Sequence, residues 1–125
     1  MKLILCHSIL KKEIKPLLKY FSRGDLKKAT LKASSGLGAK LKSSKIPNSQ
    51  LVKVYMTGKG GAGRLIVLIY LGKDYYVPVV LRLKKDKEIG ANMSNENIAF
   101  QNLLDKNLDL IINDLKSGDF EKIDL

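Results

Sequence analysis

The spacing of apolar residues changes along this chain, and the changes divide it into elements. Lys2 to Cys6 is an apolar run too short for a helix and predicts a buried strand. Ser8 can cap a helix. Leu10, Ile14, Leu17, Leu18 and Phe21 then follow at spacings of 4, 3, 1 and 3, which is one face of a helix. Pro16 either kinks that helix or starts a new one at its first turn. Arg23-Gly24-Asp25 is a turn. Asp25 can cap a second helix with Leu26, Ala29, Thr30 and Ala33 on its inner face, ending by Gly36. Residues 34–48, rich in Ser, Gly and Lys and containing Pro47, read as a loop or a loose helical turn.

Beyond Gln50 the pattern becomes that of strands. Residues 51–56, 64–71 and 75–84 are dominated by β-branched and aromatic residues. Residues 72–74 make a short hairpin turn and residues 57–63 a longer glycine-rich one, so the three strands form an antiparallel meander. Pro78 has no N–H to give a central ladder, which places it on an edge strand or at a bulge. Residues 94–116 predict the last helix. Ser94 is its cap, Glu96 suits the positive end of its dipole, and Gly118 stops it. Leu104, Leu108, Ile111, Ile112 and Leu115 form its apolar stripe. The acidic tail, 119–125, reads as loose. The expectation is one α+β domain over residues 1–125: a small antiparallel sheet, made of the meander and the N-terminal strand, with helices packed on one face.

Alternation within the strands sorts side chains onto two faces. Leu65, Val67 and Ile69, with Val77, Val79, Leu81 and Leu83, can lie under the helices. The opposite face then collects Lys53, Tyr55, Arg64, Tyr70, Arg82 and Lys84, and Lys85 and Lys87 continue the patch beyond the last strand. Cationic side chains neutralise phosphates and tyrosines offer stacking surfaces, so such a face suits RNA. An ordinary solvated sheet face is the alternative.

Charge strengthens the RNA reading. The 125 residues hold 23 Lys and Arg against 12 Asp and Glu, for a net charge of +11. Residues 1–59 carry 14 basic and 2 acidic residues, net +12, while residues 60–125 carry 9 and 10, net −1. A field this uneven suits a polyanion: RNA, DNA or an anionic membrane. The membrane is disfavoured, because no run is long enough to span a bilayer and the basic helices lack a Trp- and Phe-rich apolar face. The single cysteine, Cys6, allows no internal disulfide and fits a reducing cytoplasm. The apolar run before it is shorter than that of a signal peptide. His7, the only histidine, has no cluster of ligands near it, so no metal or cofactor is expected. Gly58-Lys59-Gly60-Gly61-Ala62-Gly63 contains G-x-G-x-x-G but does not open a helix in a βαβ unit. It therefore reads as a hairpin loop, one that could close over a substrate with Lys59 at its tip.

The order of elements resembles the RelE/ParE-like toxins of bacterial toxin–antitoxin systems. The likeness runs from about Leu3 to Leu115 and is best in the meander LVKVYMTGKGGAGRLIVLIYLGKDYYVPVVLRLKKDKEIGANMS. An arginine opens its middle strand (GRLIVLIY), and its last strand has a basic end (LRLKKDK). The resemblance implies a toxin that cleaves mRNA, on the ribosome or free, without a metal, by attack of the 2′-hydroxyl, and that is silenced by an acidic antitoxin. By position it assigns catalytic roles to Arg64 and Arg82, with Lys53 and Lys59 where basic residues precede Arg64; Lys84, Lys85, Lys87, Tyr55 and Tyr70, placed on the open face by alternation, would then contact the substrate. Several members carry a Tyr or His near the C-terminus as acid or base. Here no Tyr follows Tyr76 and no His follows His7, so a lysine with a lowered pKa would have to serve. A non-catalytic nucleic-acid-binding protein, or a gyrase inhibitor of the ParE type, is the alternative.

Overall fold

The computed structural model describes residues 1–41 and 45–125; residues 42–44 of the expected loop lie outside the described residues. The strands are β1 (Lys2–Cys6), β2 (Ala39–Lys40), β3 (Ser49–Gly58), β4 (Gly61–Tyr70), β5 (Tyr75–Leu83) and β6 (Phe120–Asp124). The helices are α1 (His7–Ile9), α2 (Arg23–Ser34) and α3 (Ile98–Ser117). Among the described residues the six strands form one open sheet in the order β2-β3-β4-β5-β1-β6. The meander β3-β4-β5 is antiparallel, as its hairpin signals predict. The sheet as a whole is mixed, because β1 lies parallel to β5.

The tail is not loose. Phe120 to Asp124 pairs with β1 in full register, from Cys6↔Phe120 to Lys2↔Asp124. Its sequence reads as loose because only Phe120 and Ile123 among Phe120–Asp124 are apolar, and both are only half-buried, as suits an edge strand.

Helices cover both faces of the sheet, not one. α2 lies beside Met56 and α3 beside Leu51. These two β3 residues have opposite parity and so point to opposite sides. The consequence is a run buried on both faces, Leu65 to Leu68 in β4 and Tyr76 to Leu81 in β5. α2 is capped by Ser22, not Asp25, and takes in the expected Arg23-Gly24-Asp25 turn. The Ser22 hydroxyl accepts the Asp25 N–H while the Asp25 carboxylate accepts the Ser22 N–H, a reciprocal cap. Its buried face is Leu26, Ala29, Thr30 and Ala33, as the spacing predicts. α3 begins later than expected. The Asn97 side chain, not Ser94, accepts the N–H groups of Ala99 and Phe100. Gly118 ends α3 in a left-handed conformation, φ 76°.

The first helical stretch departs most from its pattern. α1 passes into a π-helical turn, Leu10–Ile14, and then a 3-10 turn, Lys15–Leu17, with Pro16 inside it. Pro16 has no N–H with which to continue the helix. The wide turn carries Glu13 inward, where it is buried, and leaves Leu18 exposed. Ser8 does not cap α1. Its N–H and hydroxyl both donate to Asp114 of α3, so a carboxylate from the far end of the chain serves the free end of the helix.

Pro78 sits in a central strand, at a bulge. Ile66 pairs with Val80 and Val67 with Pro78, leaving Val79 as the extra residue. The β1–β5 ladder reaches only Leu3↔Tyr76. Beyond it, side chains take the place of a strand: Asn107 donates to the Val79 carbonyl at 2.8 Å, and Glu13 accepts the Leu81 N–H at 3.1 Å.

Candidate nucleic-acid interface

The antiparallel register brings four of the expected residues together. Tyr55 lies opposite Arg64, Arg64 opposite Arg82, and Lys53 one step along on the same face. Tyr55 is exposed. The Arg64 guanidinium lies 5.2 Å from its ring centre and the Lys53 ammonium 6.0 Å. β2 covers only Val52 and Lys53 on the outer edge of β3, and the Tyr55 carbonyl beyond it accepts a hydrogen bond from Lys32 of α2 at 3.2 Å. Two cations therefore flank one accessible ring, and a third holds the backbone carbonyl of the same residue.

The face is less open than alternation alone suggests. The segment after β5 folds back over it, burying Ile89, Gly90 and Met93. Gly90 comes so close to Leu83 that a Cβ would fall 1.9 Å from the Leu83 carbonyl oxygen. Its own carbonyl accepts from Arg64 Nη1 at 2.9 Å, which fixes the guanidinium, while Arg64 Nε is buried with no partner. Arg82 is engaged more fully. Its Nη1 pairs with Glu13 and donates to the Leu81 carbonyl, and its Nε lies 3.5 Å from Asp86. Lys12 donates to Asn107 at 2.7 Å beside this pair, and burial lowers its pKa.

A second cluster lies at the same end of the sheet, on the other face. The Lys19 and Lys85 ammonium groups lie 5.1 and 5.9 Å from the Tyr20 ring centre. This ring explains the glycine run. A Cβ on Gly60 would meet Tyr20 Cδ1 at 1.9 Å, and Cβ atoms on Gly58 and Gly63 would meet the Phe21 ring at 2.6 and 2.4 Å. The β3–β4 turn is thus a tight Lys59-Gly60 corner clamped on Tyr20 and Phe21, not a loop free to close over a ligand. Lys59 is exposed at its tip. Between the turn and Leu83-Lys84-Lys85 lies an open cleft of about 400 Å³.

Lys84, Lys85 and Lys87 are exposed along the continuation of β5. Tyr70 shares the face of Arg64 but lies six residues along β4, beside the C-terminal end of α3, and belongs to a different site. Sequence reasoning missed Lys32, Lys19 and Tyr20. The one available signal was a glycine run with no phosphate-binding context, which needs a bulky partner elsewhere in the chain.

Among the described residues no group of three or more His, Cys, Asp and Glu is arranged to hold a metal ion. No described helix is long and apolar enough to cross a membrane. The chain matches no protein-family model, no curated protein and no solved structure.

Proposed function

We propose that the protein binds single-stranded RNA at the end of the sheet that carries the β3–β4 turn. The observation that supports this most is Tyr55, exposed and flanked by Lys53 and Arg64. An accessible ring offers a base a stacking surface, and a fixed guanidinium beside it meets the adjoining phosphate. Tyr20, with Lys19 and Lys85, repeats the arrangement on the other face of the same end. Lys59 stands between the two, and the cations of residues 1–59 supply a favourable field around both. The test is a fluorescence-anisotropy titration with a short single-stranded RNA. Tyr55→Ala should weaken binding by about 1–3 kcal/mol, the worth of one stacked base. An unchanged affinity would remove Tyr55 from the interface.

Metal-independent cleavage of mRNA, the activity the toxin resemblance implies, stands second. Arg64 supports it, because a guanidinium held by the Gly90 carbonyl is oriented before a phosphate arrives. Arg82 does not, because it is committed to Glu13 and Asp86. Incubating mRNA with the protein in chelator tests this reading, with primer extension mapping the cut sites and mass spectrometry reading the 3′ ends of the products. Products with a 2′,3′-cyclic phosphate that vanish with Arg64→Ala would establish it, and intact RNA would leave binding alone.

A further inference from the structure

α3 covers the middle of one face and ends at Gly118, leaving the far end of that face beneath its last turn. A pocket of about 380 Å³ lies there, walled by α3, β1, β5, β6 and the β4–β5 hairpin. Cross-strand register builds its floor. Tyr70 pairs with Tyr75 in one row, and in the next Ile4 pairs with Lys122, with Val77 beside them. Ile4 and Val77 are fully buried at the bottom, and Leu115 and Phe120 form half-buried apolar walls.

The rim is cationic. Lys73 from the hairpin, Lys116 from the last turn of α3 and Lys122 from β6 all line the pocket and are exposed. Among the described residues none of the three has an acidic partner within ion-pair distance; Lys122 lies instead 5.4 Å from the ring centre of Tyr75, on the pocket wall. The acid nearest in sequence to each is engaged elsewhere: Asp74 by the N-terminal ammonium at 3.0 Å and the Tyr76 hydroxyl at 2.9 Å, Asp114 by Ser8 at 2.8 and 3.0 Å, and Glu121 by Arg23 at 3.1 Å. The Tyr70 hydroxyl makes no hydrogen bond among the described residues, and burial raises its pKa, so at neutral pH it is an unused donor.

We infer that this pocket binds a free amphipathic anion, an aliphatic or aryl body ending in a single carboxylate or phosphate, its body on Ile4, Val77, Leu115 and Phe120 and its head among Lys73, Lys116, Lys122 and Tyr70. The floor selects against a nucleobase, whose polar edge would need partners that the apolar walls do not offer. The volume lies at the small end of the range for ligand sites and equals that of about a dozen waters, which suits a body of about that many heavy atoms. The charge selects against a neutral lipid. The inference is independent of the RNA reading, which uses the opposite end of the sheet.

Decanoate is the probe, titrated into the whole protein by calorimetry below its micellar concentration, with decanol as the uncharged control. The expected result is saturable one-to-one binding of decanoate. Decanol should bind about tenfold more weakly, and Lys73→Ala/Lys116→Ala/Lys122→Ala should weaken decanoate to the level of decanol, each exposed pair contributing about two- to fivefold. Leu115→Trp, which fills the pocket, should abolish both, with circular dichroism confirming the fold of each variant. Equal affinity for decanoate and decanol, or decanoate binding untouched by the lysine variant, would overturn the proposal. So would a lack of decanoate binding by a protein that partitions onto anionic vesicles, since that would make the patch a membrane contact.

Discussion

Glu13 and Arg82, 69 residues apart in the chain, form an ion pair whose carboxylate is wholly buried. The same Glu13 oxygen accepts the Leu81 N–H, so one carboxylate balances the arginine and closes the ladder where β1 has ended. Alternation along β5 puts Arg82 on an open face, where truncation would be harmless. The structure makes it part of the frame. Arg82→Ala should therefore cost about 3–5 kcal/mol, because it leaves an uncompensated buried charge. Glu13→Gln/Arg82→Met, which removes both charges and keeps an acceptor for Leu81, should recover most of that loss. Urea denaturation of both variants checks this. A single Arg82→Ala variant as stable as the parent would show that the pair carries no weight.

The clamp of the β3–β4 turn on Tyr20 gives a second expectation. Gly60→Ala would set a Cβ 1.9 Å from the Tyr20 ring, so turn or ring must shift, at a cost of about 1–3 kcal/mol. Tyr20→Ala in the same chain should make Gly60→Ala nearly neutral. The measurement is a double-mutant cycle by thermal denaturation. Additive effects would mean that the two residues do not touch.

These two cases show what could be read from the sequence. The inner face of α2, Leu26, Ala29, Thr30 and Ala33, was legible because its period is local. The pair Tyr55 and Arg64 was legible because parity fixes it, but Arg82 keeps to their row only through the bulge at Val79, which puts Tyr75 and Val77, not the expected Tyr76 and Pro78, on that face. Glu13 was not, since a π-helical turn shifts the face by one residue and nothing nearby announces it. β6 was not, since its partner β1 lies at the other end of the chain. The side of the sheet taken by each helix was not, because crossovers decide it. Arg64 was placed correctly, but its exposure was overestimated because Gly90 returns over it.

Cys6 is fully buried, and burial, with the Asp114 charge adding to it, pushes its thiol pKa up to about 12. Only the thiolate reacts readily. The native protein should therefore resist iodoacetamide at pH 8, and labelling should track unfolding as urea is added. Rapid stoichiometric labelling without denaturant would show that β1 and the start of α1 open easily.

On the RNA-binding proposal, the basic, tyrosine-bearing end of the sheet meets the phosphates of a single strand. The most direct test of that proposal is the affinity for a short single-stranded RNA measured across a salt series. Log affinity should fall linearly with log salt, by about 0.7 for each phosphate neutralised, with the slope reduced by about one such step in Arg64→Ala. A flat response, or no binding at low salt, would contradict it.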